Sequence, residues 1–417
     1  MNRPVLTPAV AIVGAGPSGL RAAADLATAL RGDVLVLDRE SEPGGIPRHC
    51  HHTGYGLRDL RRVMTGPRYA QLLAGRAADA GAEIRTSAMV TGWSADGALE
   101  VTAPGGRFTV KAAATILATG ARERPRTARR IPGDRPAGVL TTGQLQNLVH
   151  LHGRKVGRKA VVVGAELVSW SAVLTLKHAG CETVVMTTEY PAADAYRVFS
   201  TFGPLYLRTR VATRTRVVRV IGRGRVTGVE VENLQTGQRQ VVECDTVVFS
   251  GDWIPDHELA RSAGICLDEK TLGPVVDTQL RTQQQGIFAI GNLVHPVDTA
   301  DSAALDGAHV APQVLRYLDA PAPAPRGVPV QAGSSFKWIC PTRFQPGEGA
   351  PARGHLLLWP TVLRNRPTVV ARQGGREIGR VTTWWPAAPG RVFRVPHQLL
   401  SGVSGTGGPV SVDLVGN

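Results

Sequence analysis

This chain of 417 residues is poor in cysteine, and its cysteines are not arranged for a common structural purpose. There are five, an odd number, and none lies in a CxxC pair or at metal-ligand spacing. That pattern argues against a disulfide framework and against a zinc site. We expect no bound metal. The cysteines are Cys50, Cys181, Cys244, Cys266 and Cys340.

Long hydrophobic runs are also lacking. No stretch approaches the about 18 uncharged apolar residues that a membrane-spanning helix needs. The N-terminal residues lead almost directly into an apolar strand, without the pattern of a secretory signal. We therefore expect a cytoplasmic protein with no membrane span. With 43% hydrophobic and 19% charged residues, the composition is that of a globular protein with two or three domains.

Aromatic residues are scarce, at 5% of the chain, whereas the formal net charge is +15. Arginine supplies most of the positive charge, and few aromatics are interleaved with it. Residues 122–135 form the one compact basic run, and this run contains prolines. We interpret the charge as a solvated arginine-rich surface, and we expect no specific nucleic-acid partner.

The most informative motif that is present lies near the N-terminus. An apolar strand from Val10 runs into Gly14-Ala-Gly-Pro-Ser-Gly19, and a small-residue helix and a second strand follow, ending at Asp38. In such a turn the glycines permit a tight bend, a close approach to pyrophosphate and close helix packing. Asp38, 24 positions after Gly14, is placed to accept hydrogen bonds from ribose hydroxyls. The sequence therefore predicts a dinucleotide site here.

The same order of elements recurs from Ala160 to Glu189 with an altered turn. Glu166 stands where the second glycine is expected, and Ser169 replaces the third. A side chain and a negative charge at that point disfavour a bound dianion. We interpret the second copy as a retained scaffold without tight nicotinamide binding. Glu189 still ends the strand as a ribose ligand would, which leaves NAD(P) binding open.

The duplication predicts the fold class. Each copy continues through hairpin or meander strands and closes in a small-residue turn, Thr119-Gly120 in the first and Ser250-Gly251 in the second. We expect an α/β protein with two nested Rossmann-like three-layer dinucleotide-binding domains and a small C-terminal β domain, and with a strand at Thr278–Arg281. The predicted parts are residues 1–125 and 253–318 for the first domain, 126–252 for the inserted one, 319–329 for a proline-rich linker and 330–417 for the β-rich domain.

These motifs together resemble the two-dinucleotide-binding-domain flavoproteins, the pyridine nucleotide-disulfide oxidoreductase group of the thioredoxin reductase type. The resemblance covers residues 5 to about 318 and rests on the first turn, Asp38, Gly44-Gly45, the 118–120 turn and Gly286 to Asn292. Within it, the runs at 118–125 and 138–146 look like the FAD-bearing subunits of opine, sarcosine, hydroxyproline and hydrogen cyanide synthase dehydrogenases.

The resemblance implies FAD as the cofactor and assigns residues to it. The first turn would hold the pyrophosphate, and the backbone near Ala88 would meet the adenine. The helix that begins near Thr299 would point its positive end at the flavin N1 and O2. The implied FAD-binding residues are Gly14, Gly16, Pro17, Ser18, Gly19, Asp38, Arg39, Gly45, Ala88, Thr119, Gly120, Gly291, Asn292 and Thr299. Two departures from the family are Asn292, where aspartate is usual, and the missing redox-active cysteine pair.

The candidate catalytic residues lie in two places. His49-Cys50-His51-His52 follows Gly44-Gly45, and His49 or His52 is suited to take a proton from a substrate, with Cys50 beside the flavin. The alternative is a polar loop whose histidines hydrogen-bond locally. His295 is the second candidate, together with Asp298 and Asp301. A carboxylate there could orient an amine substrate or cap the following helix, for which Thr299 and Asp301 are both suited.

We therefore expect an FAD-dependent oxidoreductase, a dehydrogenase that takes hydride from a small amine, amino acid or hydroxy compound and passes electrons to a partner subunit or carrier. The first alternative is an NAD(P)H-dependent flavoprotein reductase. The second is an RNA-binding or assembly flavoprotein subunit without turnover, which only the charge and the extra β domain favour.

Overall fold

The structure is a computed structural model, and it describes residues 4–191, 209–296, 298–323 and 326–415. The chain divides into two compact units. The first unit comprises Met1–Arg48, Thr53–Ala121 and Pro255–Asn417, and the second comprises His49–His52 and Arg122–Ile254.

The N-terminal part of the first unit alternates short strands with two long helices. The helices are α1 (Pro17–Leu30) and α2 (Gly66–Asp79). The strands are β1 (Val5–Leu6), β2 (Val10–Val13), β3 (Val34–Leu37), β4 (Thr53–Tyr55), β5 (Met64–Thr65), β6 (Glu83–Arg85), β7 (Met89–Trp93), β8 (Leu99–Ala103), β9 (Gly106–Val110) and β10 (Ala114–Leu117). Strands β2, β3 and β10 are buried along their whole length, as in parallel sheets covered on both faces.

The second unit repeats this plan on a shorter chain. Strands β11 (Ala121–Glu123) and β20 (Trp253–Pro255) form a two-stranded sheet. The unit's helices are α3 (Thr142–Gln146), which continues as a π-helical turn over Asn147–Leu151, and α4 (Leu167–His178). Its strands are β12 (Val139–Thr141), β13 (Lys159–Val163), β14 (Glu182–Thr187), β15 (Arg210–Ala212), β16 (Thr215–Ile221), β17 (Gly228–Asn233), β18 (Arg239–Glu243) and β19 (Thr246–Phe249).

The rest of the first unit completes its sheet and adds a β region. The helices here are α5 (Glu258–Ser262) and α6 (Ala300–Asp319). The strands are β21 (Ile287–Ala289), β22 (Val328–Ala332), β23 (Phe336–Cys340), β24 (Arg343–Phe344), β25 (His355–Pro360), β26 (Thr368–Gln373), β27 (Arg376–Thr382), β28 (Phe393–Pro396) and β29 (Val410–Leu414). The β region forms a five-stranded sheet, β24-β22-β29-β26-β27, and a three-stranded sheet, β23-β25-β28.

The two units contain the same parallel sheet. The order is β21-β10-β2-β3-β6 in the first unit and β12-β19-β13-β14-β15 in the second. The carboxyl ends of the central strands coincide, since Val13 pairs with Leu117 and Leu37, and Val163 pairs with Phe249 and Thr187. The turns after these strands therefore meet at one edge of each sheet, where ligands of such folds bind. This architecture confirms the predicted α/β fold class.

Helix α6 packs directly on α1. A Cβ built on Gly307 would lie 2.3 Å from the Ser18 carbonyl oxygen and 2.8 Å from the Ala22 nitrogen. Only glycine allows this approach, which places the N-terminal half of α6 against the helix of the glycine-rich turn. The β region also joins this core, to which it contributes Trp338, Cys340, Leu357 and Trp359.

The strand expected at Thr278–Arg281 is wrong. Oδ1 of Asp277 accepts hydrogen bonds from the backbone N–H groups of Gln279 and Arg281, and Leu280 has a φ of 63°. The side chain of Asp277 thus turns the backbone in a way that strand pairing does not allow. Among the described residues, no helix is both long and apolar enough to cross a membrane.

Candidate functional site

The glycine-rich turn of the first unit needs glycine at its two ends. Gly14 has a φ of +110°, and a Cβ there would lie 2.4 Å from the carbonyl oxygen of Ala118. A Cβ on Gly19 would lie 2.0 Å from the carbonyl oxygen of Gly14. Both distances are far below van der Waals contact. The turn between β2 and α1 is therefore as tight as the sequence predicts.

The N-terminus of α1 is left open by the residues around it. Gly16 is the N-cap residue, no side chain caps the helix, and its first turn has no acidic residue. A Cβ on Gly16 would meet nothing within 4 Å. Backbone N–H groups and the helix dipole therefore face a space without a side chain, as a pyrophosphate site requires. Gly45 borders this turn, since a Cβ on it would lie 2.9 Å from the Cα of Gly16.

Asp38 lies at the end of β3 with its carboxylate turned toward the same turn. Its Oδ2 accepts a hydrogen bond from Ala15 N–H at 2.6 Å, and its Oδ1 accepts one from Glu40 N–H at 2.8 Å. Burial raises the pKa of Asp38, while these two backbone bonds act in the opposite direction. The Asp38 carbonyl oxygen accepts from Ala88 N–H at 2.8 Å, so the structure brings these two predicted residues together.

Two further predicted residues share a partner that the sequence did not indicate. Arg39 forms an ion pair with the Asp256 carboxylate at 3.3 Å, and the Thr119 hydroxyl donates to the Asp256 carbonyl oxygen at 2.7 Å. The backbone N–H of Asp256 donates to the carbonyl oxygen of Gly120. Asp256 thus connects the turn after β10 with Arg39, the residue after Asp38.

The turn after β21 places Gly291 and Asn292 against α1. Gly291 has a φ of +69°, and a Cβ on it would lie 2.6 Å from the Ser18 hydroxyl oxygen. Asn292 donates to the carbonyl oxygen of Asp298, while its own Oδ1 is buried with no hydrogen-bond partner among the described residues. A buried acceptor without a donor is costly, and a ligand hydroxyl would satisfy it. This orphan oxygen, together with the open N-terminus of α1, fits FAD.

The N-terminus of α6 is organised by Asp301 and not by Thr299. Thr299 is the N-cap residue, but its hydroxyl donates to Asp301 and accepts no bond from the helix backbone. Asp301 accepts from the N–H of Ser302, and it also accepts from the backbone N–H and the guanidinium of Arg58. Of the two cap residues that the sequence suggested, the carboxylate therefore contacts the helix backbone.

His295 forms a buried pair that holds the Gly291 turn. Its Nε2 lies 2.5 Å from Oδ2 of Asp306, and the same oxygen accepts from the N–H of Gly291. Both side chains are almost fully buried, at 1% and 2% exposure. The Nδ1 atom of His295 has no hydrogen-bond partner in the part of the chain that the structure describes. This geometry favours a positioning role for His295.

Two arginines of the β region reach these carboxylates. Arg394 donates to both carboxylate oxygens of Asp298, at 2.7 and 2.9 Å, and Arg353 lies 3.8 Å from Asp298 and from Asp306. Burial alone would raise the pKa of both aspartates. Arg394, His295 and Arg353 nevertheless hold the pKa of Asp298 below its usual value, and His295 and Arg353 do the same for Asp306. The sequence analysis did not identify either arginine, because neither lies in a recognisable local motif.

The corresponding turn of the second unit is filled by its own side chains. A Cβ on Gly251 would lie 2.7 Å from a carboxylate oxygen of Glu166, so this carboxylate lies against the Gly251 backbone. Ser169 donates to the hydroxyl of Ser250 at 3.0 Å, and Thr142 donates to the same oxygen at 3.0 Å. The crevice beside the N-terminus of α4 therefore holds a carboxylate and three hydroxyls of the protein.

Arg129 supplies the opposite charge at this turn. Its guanidinium donates to the carbonyl oxygens of Ser250 and Gly251, and it lies 5.5 Å from the centre of the Phe249 ring. Burial holds the pKa of Arg129 below its usual value, although the charges of Asp252, Glu123 and Glu166 act in the opposite direction. Glu166 therefore has a buried cation of its own unit close enough to act on it electrostatically.

The histidine segment is grouped with the second unit. The Cys50 thiol donates to Oε1 of Gln146 at 3.1 Å, and the amide of Gln146 donates to the Ser171 hydroxyl. His51 stacks on His150 with ring centres 4.1 Å apart. The two base candidates differ in exposure. His49 is buried and His52 is half-buried. Within the described ranges, no group of three or more histidine, cysteine or acidic side chains is arranged to hold a metal ion.

Comparison with known proteins agrees with this geometry. Residues 8–311 match the family model described as pyridine nucleotide-disulphide oxidoreductase. The chain is 28% identical over 332 residues to an opine oxidase subunit of Agrobacterium tumefaciens (strain Ach5), covering 72% of this chain and 62% of that protein. The homologous subunit of Rhizobium meliloti is 26% identical, with 68% and 58% covered. The chain thus spans about three fifths of the length of these relatives.

A second kind of relative is shorter. Thioredoxin reductase of Treponema pallidum (strain Nichols) is 27% identical over 322 residues, covering 74% of this chain and 97% of that protein. Among solved structures, thioredoxin reductase of T. acidophilum superposes with a TM-score of 0.60 at 22% identity, over 74% of this chain and 98% of that one. L-proline dehydrogenase of P. horikoshii gives a TM-score of 0.56 at 17% identity, with 79% and 62% covered. At these identities the superpositions show the fold.

The family match covers well over half of the chain, and the predicted resemblance and the FAD cofactor are confirmed. The open first turn and the unsatisfied Asn292 oxygen are compatible with this cofactor. The protein therefore belongs to the pyridine nucleotide-disulphide oxidoreductase family and is a flavin-dependent oxidoreductase that uses FAD.

Proposed function

We propose that this flavoprotein oxidises a small amine, amino acid or hydroxy compound, and that NAD(P)H is not its electron donor. The observation that carries the proposal is the filled second turn, in which Glu166 lies against Gly251. When bound, FAD supplies the hydride acceptor. The substrate proton must then be accepted by a side chain of the protein.

The charge at the second turn opposes a nicotinamide dinucleotide. The pyrophosphate of such a ligand would need the N-terminus of α4, where Glu166 already provides a carboxylate. Two like charges 4 Å apart repel by roughly 4 kcal/mol at an effective dielectric constant of 20. Arg129 offsets part of this repulsion, but its guanidinium already donates to Ser250 and Gly251. Binding would require both the carboxylate and the hydroxyl network to move.

The cysteine pattern and the relatives support the same proposal. The sequence has no cysteine pair of the kind that disulfide reduction needs. Two of its curated relatives are named as one subunit of opine oxidase, and a third is named as the alpha subunit of sarcosine oxidase. Because all three are named as subunits, we propose that electrons leave this chain through a partner subunit or a carrier.

His49 and His52 remain the proposed proton acceptors. Cys50 anchors their segment through its bond to Gln146, so we assign the thiol to holding the two rings in place. Replacing the true base with alanine should lower kcat and remove the rise of kcat/KM with pH near the histidine pKa. The other variant should keep that rise, which distinguishes the base from a structural neighbour.

The decisive experiment is anaerobic reduction of the purified holoprotein. Amines, amino acids and hydroxy acids are mixed with it in parallel with NADH and NADPH, and bleaching of the flavin absorbance is followed. We expect a small organic donor to bleach the flavin fast and both nicotinamides to do so slowly. Fast bleaching by a nicotinamide that saturates at ordinary micromolar concentrations contradicts the proposal.

An NAD(P)H-dependent reductase is the second candidate. The complete second fold favours it, because β14 is followed by the exposed Glu189 at the position of a ribose ligand. The thioredoxin reductase relative favours it as well. The reduction experiment separates the two candidates, since this one requires rapid bleaching by a nicotinamide.

A further inference from the structure

The β region carries an exposed apolar patch that the proposed function does not use. It consists of Val362 and Leu363 after β25, and of Trp384 and Trp385 after β27. The two loops are joined, because Arg364 and Ala387 exchange both backbone hydrogen bonds, at 2.8 and 3.0 Å. We call these four side chains the Trp384 patch.

The exposure of this patch is unusual for its residue types. Trp384 is 77% exposed, Leu363 60%, Trp385 44% and Val362 40%. Tryptophan is normally well buried in a folded protein, and contiguous exposed apolar side chains mark an interaction site. Two hydrogen bonds hold the loop after β27 in place. The Thr383 N–H donates to the carbonyl oxygen of Pro367, and the Trp385 indole donates to the carbonyl oxygen of Arg394.

Positive charge surrounds the patch. Arg364 and Arg366 are exposed, and the Arg366 guanidinium lies 4.3 Å from the centre of the Trp384 ring. Neither arginine forms an ion pair within the parts of the chain that the structure describes. Residues 330–417 contain ten lysines and arginines against three acidic residues, a net charge of +7. A partner that matches this surface therefore combines an apolar part, for the patch, with negative charge, for the surrounding arginines.

The size of the patch favours a lipid surface. Its four side chains expose roughly 450 Å² if a fully exposed tryptophan offers about 250 Å². A standard protein interface covers about 800 Å² on each partner. Tryptophan is enriched at the headgroup level of bilayers, and arginine pairs with anionic headgroups. From these observations we infer that the Trp384 patch docks the protein on an anionic lipid membrane.

The test uses the full FAD-loaded chain and vesicles that sediment. Vesicles of phosphatidylcholine alone are compared with vesicles that contain phosphatidylglycerol as well. We expect sedimentation with the anionic vesicles, weaker sedimentation with neutral ones, and loss of binding as salt is raised. The variant Trp384→Ala/Trp385→Ala should bind the anionic vesicles at least tenfold more weakly, with its flavin content and Tm unchanged.

A matched pair of charge variants separates this site from general attraction. Arg364→Gln/Arg366→Gln removes two charges beside the patch, and Arg372→Gln/Arg376→Gln removes two at the other end of the β26–β27 hairpin. We expect at least a fivefold loss of vesicle binding in the first pair and less than a twofold loss in the second.

Three outcomes overturn the inference. One is that anionic vesicles do not bind the protein, and another is that both charge variants lose binding equally. The third is that soluble polyglutamate binds the protein in a Trp384-dependent way while vesicles do not, which would indicate an acidic protein partner. The reduction of flavin by substrate is measured separately, so failure here leaves the proposed oxidation untouched.

Discussion

The glycine-rich turn of the first unit and the corresponding turn of the second lie at the same place in the sheet. The first is empty of side chains at Gly16, and the second holds a carboxylate. Each follows the central strand of a five-stranded parallel sheet of the same order, and each begins with a glycine of positive φ, +110° at Gly14 and +130° at Gly164. In the first turn, a Cβ on Gly16 would meet nothing within 4 Å. In the second turn, the Glu166 carboxylate lies against Gly251.

A dinucleotide fold can therefore keep its architecture while its ligand site closes. At Gly19 the helix lies so close to the turn that any side chain collides with the Gly14 carbonyl oxygen. At Ser169 there is room for a hydroxyl, which bonds to Ser250. The hydroxyl network thus substitutes for the close backbone contact, and the sheet behind it needs no change.

The largest expected effect comes from adding one methyl group to the first turn. Gly19→Ala places a Cβ 2.0 Å from the Gly14 carbonyl oxygen, so the turn must shift. We expect the variant to lose most of its FAD after gel filtration, measured as flavin absorbance per protein. Gly75→Ala in α2 is the control, because a Cβ there meets nothing within 4 Å and alanine favours a helix. Full FAD content in the Gly19→Ala protein would contradict the claim that the first turn needs glycine at this position.

The next effect tests how far the first site depends on the β region. Arg394→Gln leaves the buried Asp298 carboxylate without its closest cation, and breaking a buried pair in this way costs about 3 kcal/mol. We expect a lower urea midpoint and weaker FAD retention. Arg380→Gln, which removes an exposed arginine paired with Glu377, is the control and should change little. Equal urea midpoints for the two variants would show that Asp298 does not need Arg394.

A smaller effect should appear when the second turn is opened. Glu166→Gly/Ser169→Gly removes the carboxylate and the hydroxyl that occupy the crevice. We expect about a tenfold tighter Kd for NADH or NADPH, about 1.4 kcal/mol, measured by titration calorimetry. Ser169→Gly alone serves as the control. It should tighten the Kd less, because the negative charge of Glu166 remains. An unchanged Kd in the double variant would mean that another part of the second unit blocks the ligand.

The smallest effect is a difference in acid sensitivity between the units. Burial, with the nearby His51, His178 and His52, lowers the pKa of His150 to about 4. Its unfolded form has a pKa of about 6.5, so the unfolded state binds the proton first, and stability falls as pH drops from 6.5 to 4. The resulting loss of unfolding free energy should be well below the roughly 3 kcal/mol that such a pKa shift would give in a fully buried group, since solvent screens this ring.

The measurement is the Tm between pH 7 and 4.5. His150→Gln should flatten this dependence, and His152→Gln, at an exposed neighbour, should not. Asp298 and Asp306 of the first unit have lowered pKa values, so their contribution persists above pH 3.8 and is lost only below it. A wild-type Tm that is constant over this range would contradict the prediction.

Much of the first site follows from local sequence. Strand β3 ends beside Asp38 as the sequence predicts, and the Asp38 carboxylate lies on the turn. These features depend on hydrophobic runs and on glycine positions, which are properties of neighbouring residues. The wrong strand at Thr278–Arg281 shows the limit of that approach. There the backbone is turned by Asp277, whose side chain accepts hydrogen bonds from the N–H groups of Gln279 and Arg281.

Local sequence was enough to predict the doubled α/β fold, the glycine-rich first turn and the altered second turn, because glycines and apolar periodicity act within about 30 residues. Three kinds of contact depend on the tertiary structure instead. Glu166 lies against Gly251, Cys50 donates to Gln146, and Arg353 and Arg394 lie beside the carboxylates near Gly291. The residues in each of these contacts are between 47 and 96 positions apart. Electrostatic partners at such separations leave no periodic trace in the chain, since burial and distance, not spacing, determine their strength.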